Sequence, residues 1–457
     1  MELTKAIDDL KNNSDAVSRR TAASEIASSG VFDVDAVEAL SAGLSDGDRG
    51  VRDICSQALA DADGEDARLV AGKIAPMITE EDIEIRNLAG EILMRLGSAA
   101  AEALVPYLSS DDPDVRKFAC DIIGIIGGTS VSEDVYKLLE DNDINVVSSA
   151  VEALGNMHEA GALDKLFAKY ERHEDLKPIV IEALGKIGTE EAEEFLINLL
   201  QNEEDIFLQT AVIDALALAG RDISICHRLM EQLPYTTSEL QVILLKTIYA
   251  IAFRLGEELE LPENLRYIAR RALMDEDPDI RAAGLVALGP SYQEEDIPGL
   301  VNEMFLSDAD VQQHILYILL ATSPPELVDK FLASFCQHPH PDDSMVEFLS
   351  LVAFIWDDAR QDNKQQFIKT LMFLNFTHPR GNAADVVELM RKLDSRAIER
   401  EISFYLQNGN PGQKAEAMDV VDQLNLDRFI PEIEKIAASD DELRPRAKKL
   451  MNKFNII

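Results

Sequence analysis

A short pattern recurs along most of the chain and limits the folds that the chain can adopt. Each copy has an acidic turn, an aliphatic residue, often an arginine, and then a further aliphatic residue seven positions after the arginine position. Up to Leu319 these end positions follow one another at intervals of 30 to 37 residues. Such a period holds two helices of about 10–14 residues and two short turns, which predicts an array of αα-hairpins. The end positions are Ile26, Leu59, Leu93, Ile123, Leu154, Leu184, Leu216, Ile251, Leu288, Leu319 and Met451.

An aspartate lies four residues before the arginine position in most copies. An aspartate at this place can cap the second helix of the hairpin and complement its dipole, so we predict capping by Asp15, Asp48, Asp82, Asp112, Asp143, Asp205, Asp277, Asp308 and Asp440. We expect the arginines to bridge neighbouring repeats and to fix their register; they are Arg19, Arg52, Arg86, Arg116, Arg281 and Arg444. Glycines that follow the second helices are predicted to end them in a left-handed conformation, at Gly97, Gly127, Gly188, Gly220, Gly256 and Gly289.

The charge of the chain narrows the classes of partner. The formal net charge is −41, which argues against binding to nucleic acid or to an anionic membrane surface. Residues 361–457 contain 15 acidic and 15 basic residues, so residues 1–360 carry the whole negative charge. One interpretation of this charge is solubility or adaptation to a salty cytoplasm, and the other is attraction of a basic protein partner.

Cysteine usage and the N-terminus indicate a reducing compartment. The four cysteines are far apart in sequence and form no Cys-x-x-Cys pair, so a disulfide framework or a zinc site is not expected. Cys55 and Cys120 fall on apolar helical positions, where free thiols are usually buried. The N-terminal residues contain no apolar signal core and no apolar run is long enough to span a bilayer, so we expect a cytoplasmic protein.

The segments DDPDVRKFACDIIGIIGG (111–128) and DEDPDIRAAGLVALG (275–289) resemble HEAT repeats. They are most similar to the short bacterial variety also called phycobilisome-lyase HEAT-like repeats, and the resemblance extends over about 1–323 and 396–457. It implies an all-α, right-handed α-α superhelix, or solenoid, of about 12–13 hairpins. HEAT proteins are mostly scaffolds and adaptors and only a few are enzymes, so the resemblance leaves the function open.

Residues 324–395 depart from the repeat. This segment contains seven of the 17 phenylalanines and the only tryptophan, Trp356. One interpretation is a pair of irregular repeats with a heavier core, and the other is a surface for a partner or a dimer. We see no flexible linker and predict one continuous domain over 1–457, with regular acidic repeats in 1–323, the irregular segment in 324–395, and C-terminal repeats with a cap in 396–457.

An acidic residue follows the arginine position by five residues in five successive repeats. The five are Glu91, Asp121, Glu152, Glu182 and Asp214, and we call them the acidic stripe. At 100° per residue this position points away from the apolar side of the helix, which predicts a stripe of carboxylates on the concave side of the solenoid. It is either an ordinary solvated face or a surface that attracts a basic helix or tail.

Three features point weakly to an enzyme. Cys336, His338, His340, Asp342 and Asp343 include metal-ligating residue types, but the intervening prolines favour an extended loop and no second cluster supplies further ligands. The pairs His158-Glu159 and His173-Glu174 resemble motifs of metal-dependent deoxyhypusine hydroxylases, which are HEAT proteins, but their helical positions are not equivalent. Bilin lyases share the repeat type, yet nothing in this chain indicates a bilin pocket.

The sequence therefore predicts a non-catalytic scaffold or adaptor of bacterial origin, with no cofactor, metal or catalytic residue. Its partners are proteins, with a basic partner as the sharper prediction, and neither nucleic acid nor membrane. The predicted contact residues are the acidic stripe and Trp356. The alternatives are an enzyme or chaperone-lyase of the bilin-lyase type and a metal-dependent HEAT-repeat enzyme.

Overall fold

The computed structural model describes residues 2–289, 292–337, 341–377 and 383–454. These residues form 27 α-helices, with short 3₁₀ turns between some of them and no β-strand, as the sequence predicts. The first sixteen are α1 Glu2–Asn12, α2 Ala16–Ser29, α3 Val34–Gly43, α4 Arg49–Ala60, α5 Gly64–Ile74, α6 Ile83–Leu96, α7 Ser98–Leu104, α8 Pro113–Ile126, α9 Ser132–Lys137, α10 Ile144–Asn156, α11 Leu163–Arg172, α12 Lys177–Ile187, α13 Glu190–Asn202, α14 Ile206–Ala219, α15 Ser224–Gln232 and α16 Ser238–Leu255.

The remaining helices are α17 Arg266–Ala272, α18 Pro278–Leu288, α19 Ile297–Leu306, α20 Ala309–Ala321, α21 Pro325–Phe335, α22 Pro341–Ile355, α23 Gln361–Thr377, α24 Ala383–Asn408, α25 Pro411–Gln423, α26 Ile430–Ser439 and α27 Arg444–Lys453. The backbone of α24 is broken at Asp394, where φ is −150° and ψ is 89°. In chain order the helices alternate between the first and the second member of successive hairpins. The 27 described helices are slightly more than the 24–26 that 12–13 hairpins contain. The described part of the chain therefore has the all-α fold of helical hairpins that the sequence predicts.

The chain divides into two compact units. The first comprises Met1–Thr236 and Ile251–Glu257, and the second comprises Thr237–Ala250 and Glu258–Ile457. In the first unit the second helices of the hairpins pack on one another in the order α2, α4, α6, α8, α10, α12 and α14, and the first helices α1, α3, α5 and α7 do the same. In the second unit α20 packs on α22, α21 on α23 and α24 on α26. The single continuous domain over 1–457 stays a prediction.

Aspartates begin the second helices as the sequence predicts. Eight of the nine predicted residues occupy the N-cap and accept a hydrogen bond from a backbone N–H two or three residues further on, namely Asp15, Asp48, Asp82, Asp112, Asp143, Asp205, Asp277 and Asp308. Asp440 accepts from the N–H groups of Glu442 and Leu443 instead, in the turn before α27. The repeated acidic turn is therefore a capping device that fixes where each helix starts.

Arginines connect a hairpin to the next one in four of the six predicted cases, and in three of these the side chain of the acidic partner is at most 12% exposed. Arg19 lies 2.7 Å from Asp46, Arg116 lies 2.8 Å from Asp141, and Arg281 lies 2.6 Å from Glu303. Each of these arginines also donates to two backbone carbonyls in the turn before its own helix. Arg52 bridges to Glu84 at 2.7 Å, whereas Arg444 pairs within its own turn. The arginine thus joins its own turn to the following repeat.

Glycine and alanine bring three pairs of second helices unusually close. A Cβ placed on Gly124, on Gly155 or on Gly185 would lie only 2.7 to 2.8 Å from the backbone of the next second helix. The partners are, in the same order, Ala153, Ala183 and Ala215. Because no side chain separates them, α8, α10, α12 and α14 stack with backbones almost in contact. We call these three glycine–alanine contacts the small-residue seam.

Five of the six glycines that the sequence predicts as helix ends adopt positive φ after a second helix, and one does not. Gly97, Gly127, Gly188 and Gly289 have φ between 57° and 67°, and Gly256, which follows α16, has φ 72°. The prediction was wrong for Gly220, whose φ is −53°. A Cβ on Gly220 would meet the side chains of Ile251 and Ile225 at 3.1 to 3.2 Å, so a larger residue there would crowd both isoleucines.

The irregular segment forms the heavier core that one of the two interpretations predicted. Phe335 stacks on Phe305 and on Phe348, with ring centroids 5.0 and 4.5 Å apart. Phe367 continues this cluster, and Trp356 packs edge-on against it at 5.7 Å. These interlocked rings fill the space between α19, α21, α22 and α23.

Candidate functional site

The acidic stripe lies in the first unit, on α6, α8, α10, α12 and α14. Glu91, Glu152, Glu182 and Asp214 are exposed, and Asp121 is half-buried. In three of the five helices the residue after the acid is an alanine of the small-residue seam, namely Ala153, Ala183 and Ala215. The carboxylates therefore sit at equivalent positions beside these close helix contacts, on helices whose axes pack about 8–10 Å apart.

Two of the five stripe carboxylates are paired locally. Lys117 contacts Asp121 and Lys186 contacts Glu182, both at 2.7 Å and both one helical turn apart. Glu91, Glu152 and Asp214 form no ion pair within the part of the chain that the structure describes. The acidic stripe thus presents three negative charges without an ion-pair partner among the described residues, on α6, α10 and α14.

Cys120 lies next to Asp121 on α8 and is buried. Burial is the largest cause that raises the pKa of this thiol; the negative charges of Asp121 and Glu152 also raise it, and Lys117 lowers it. Cys55 is also buried, and burial raises the pKa of its thiol to about 12. The buried thiols expected at Cys55 and Cys120 are confirmed.

Trp356 does not belong to this surface. Its side chain is 7% exposed and packs in the aromatic core of the second unit, with the Lys364 ammonium over its ring at 5.8 Å. The indole can reach a partner only if that core opens, so we correct the placement of Trp356 from a contact residue to a core residue. The exposed rings of the same segment are Phe354 and Phe373.

The residues that pointed weakly to an enzyme are not brought together. Glu159 accepts a hydrogen bond from the N–H of Gly161, and the His158 ring contacts the carbonyl of Lys186. His173 ends α11 and is exposed. Of the cluster near Cys336, His338 and His340 lie outside the described residues, as do the side chains at 342 and 343. The described residues contain no group of three or more histidine, cysteine or acidic side chains placed to hold a metal ion.

Sequence reasoning missed two features of this surface. One is the small-residue seam, for which the signal was available as Glu-Ala-Leu-Gly at 152–155 and again at 182–185. The other is a set of exposed apolar side chains near the stripe, among them Ile125, Leu218 and Phe253. In the described ranges no helix is both long enough and apolar enough to cross a membrane.

The family model for HEAT repeats matches residues 73–154, 101–177 and 132–217, which together cover 73–217 and include the whole acidic stripe. No curated protein matches the chain.

Solved structures with a similar fold include the karyopherin Kap121p bound to the extreme C-terminus of the protein phosphatase Cdc14p, at 12% identity and a TM-score of 0.45. That match covers 95% of this chain and 55% of the other. Kap121p bound to the SUMO protease Ulp1p matches at 13% identity and a TM-score of 0.44, covering 97% and 58%. Importin beta matches at 12% identity and a TM-score of 0.41, covering 98% and 77%. The chain thus spans little more than half the length of the Kap121p chains, and the likeness concerns the fold alone.

Proposed function

For a chain that carries HEAT repeats, we propose that the acidic stripe binds a basic segment of another protein and that the molecule is a non-catalytic scaffold or adaptor. The supporting observation is the row of three unpaired carboxylates, Glu91, Glu152 and Asp214, at equivalent exposed positions of the stacked second helices. The cytoplasmic location, the concave position of the stripe and the likeness to the bacterial phycobilisome-lyase type are parts of this proposal.

Neither folding nor helix capping requires these acids. The N-caps of α6, α10 and α14 are filled by Asp82, Asp143 and Asp205, each of which lies nine residues before the acid of the stripe on the same helix. The three unpaired acids lie on every second helix of the stack, about 16–20 Å apart, so salt screens most of their mutual repulsion. Lysine or arginine side chains of a partner would neutralise them, and the attraction would act mainly on the association rate and on specificity.

Association kinetics with a defined cation test this proposal. A fluorescein-labelled decalysine peptide is mixed with the wild-type protein and with a stripe variant carrying Glu91→Gln, Asp121→Asn, Glu152→Gln, Glu182→Gln and Asp214→Asn. The association rate constant at low ionic strength should fall about tenfold, and its salt dependence should flatten, because steering by the stripe is lost. Thermal unfolding should change little, since exposed substitutions usually shift stability by less than about 0.5 kcal/mol each.

The first helices of the same unit supply a matched control. Glu65, Glu102, Glu133, Asp164 and Glu194 are exposed acids on α5, α7, α9, α11 and α13. Their replacement by the corresponding amides removes the same net charge from the other layer. If both quintuple variants slow association equally, decalysine responds only to net charge and the stripe is a solvated face. A stoichiometric metal retained through chelation, or a visible absorption band, would contradict the non-catalytic role.

A further inference from the structure

An exposed apolar patch lies next to the last carboxylate of the stripe. Leu218 on α14 is 55% exposed, and Phe253 on the C-terminal part of α16 is 89% exposed. The two helix segments touch at this point, because the Arg254 guanidinium donates to the carbonyls of Ala217, at 2.7 Å, and of Gly220. Leu218 and Phe253 directly adjoin these contacting residues in sequence. We call the pair the apolar platform, and both of its members belong to the first unit.

The platform and the stripe share one helix face. Leu218 follows Asp214 by four residues, which places it one turn further along α14, about 6 Å away on the same side. The uncompensated carboxylate of Asp214 and the side chain of Leu218 are therefore neighbours. The charge of Arg254 is directed at the C-terminal carbonyls of α14, where a cation is favourable, and it caps that helix end.

The fold gains little from an almost fully exposed phenylalanine. Ile251, which is buried and packs against Gly220, joins the end of α16 to α14 together with Arg254, whereas Phe253 is 89% exposed. Aromatic side chains exposed in this manner commonly act as anchors that become buried in an interface. Phe253 thus has the character of a partner-binding residue rather than of a core residue.

We infer that the partner segment has two parts, a lysine- or arginine-rich run that follows the acidic stripe and a large apolar side chain that covers Leu218 and Phe253. This inference rests on the proposed function and adds the second part. The carboxylate of Asp214 beside the apolar platform favours a segment of this kind. A lysine or arginine of the segment would face Asp214 while the neighbouring apolar side chain covers the apolar platform. In an extended segment, at about 3.3 Å per residue, the apolar side chain lies within about two to five residues of the last cation.

Three labelled peptides of equal positive charge test the inference by fluorescence anisotropy. One is hexalysine alone, the second adds two glycines and a phenylalanine–leucine pair, and the third adds two glycines and a serine pair. The wild-type protein should bind the phenylalanine–leucine peptide about tenfold more tightly than the other two, as expected for burial of one apolar side chain. The doubly substituted protein, Leu218→Ser with Phe253→Ser, should lose this increment and keep its affinity for hexalysine.

Phe207 provides the matched control, because it is 82% exposed and lies on α14 but at the opposite end from Leu218. The Phe207→Ser variant should keep the full increment. If the increment survives in the Leu218/Phe253 variant, or is equally lost in Phe207→Ser, the platform is not the apolar site. If hexalysine itself does not bind, or binds the stripe variant unchanged, the proposed function fails and this inference with it. A dimer that Phe253→Ser dissociates would identify a second copy as the occupant and overturn the inference.

Discussion

Acidic residues only two positions apart in this chain have different roles. Asp48 caps α4 and also receives the guanidinium of Arg20, whose Nε lies 2.6 Å away. Asp46, two residues earlier, pairs instead with Arg19. The capping role could be predicted, because it depends only on the local sequence. The arginine partners could not be identified, because they lie 27 or 28 residues away and their positions are set by how hairpins stack.

Asp48 predicts a defined response to acid. The hydrogen bond from Arg20 is the largest cause that lowers the pKa of its carboxyl, to about 2. A carboxyl with a lowered pKa stabilises the fold above its unfolded pKa of about 3.9, and this contribution disappears as the pH falls towards about 2. The urea midpoint of the wild-type protein should therefore decline over this window more steeply than that of Asp48→Asn, in which asparagine retains the cap. Equal slopes for the two proteins would contradict the assignment.

Glu303 predicts a large effect of a single residue on stability. Its carboxylate lies 2.6 Å from Arg281, and the side chains are 2% and 9% exposed. Glu303→Leu should lower the free energy of unfolding by about 3 kcal/mol in urea titrations, because it leaves a buried guanidinium without its counter-charge. Adding Arg281→Met should restore most of the loss. The exposed pair of Arg49 and Asp53 is the control, since Asp53→Ala should cost less than about 0.5 kcal/mol; an equally small loss in Glu303→Leu would refute the prediction.

At the scale of elements, the period of the sequence predicts the helices well and their contacts poorly. Helix type and approximate ends follow from the aspartate caps and the apolar spacing, and the structure confirms them. The glycines inside α10 and α12 end a repeated Glu-Ala-Leu-Gly, but a single helix-interior glycine indicates no more than a weak helix former. These glycines matter because the backbone of the next second helix lies too close to leave room for a Cβ atom. In the same way the sequence shows Trp356 as an aromatic residue, but only packing against Phe367 makes it part of the core.

The small-residue seam predicts opposite effects for two glycine substitutions inside helices. A Cβ on Gly155 would lie 2.8 Å from the Cα of Ala183, so Gly155→Ala should force α10 and α12 apart and destabilise the protein by about 1–3 kcal/mol. Gly72 in α5 has no atom within 4 Å of a Cβ position, so Gly72→Ala should stabilise by about 0.5–1 kcal/mol. Chemical denaturation measures both. A stabilising Gly155→Ala would show that these helices are not in close contact.

For the whole molecule, the sequence gives the net charge completely, whereas the structure shows where the individual charges lie and which of them are paired. The net charge of −41 already argued against nucleic acid and membranes as partners. It could not show which acids are paired, because pairing depends on side chains one turn away, as for Lys117 with Asp121, or on another hairpin, as for Arg116 with Asp141. Nor could it reveal that exposed apolar side chains adjoin the stripe. The sum of the charges therefore does not identify the surface that a basic partner would contact.

Zero-length carbodiimide cross-linking of decalysine to the wild-type protein, with the linked carboxylates located by mass spectrometry, tests most directly where a basic partner binds. This reaction joins a lysine amine only to a carboxylate that it contacts. Cross-links should concentrate on Glu91, Glu152 and Asp214, which are exposed and unpaired within the described residues, and should fade as salt is added. Cross-links spread equally over Glu102, Glu133 and Glu194 on the first helices would contradict the account, because the acidic stripe would then attract cations no more than any other face.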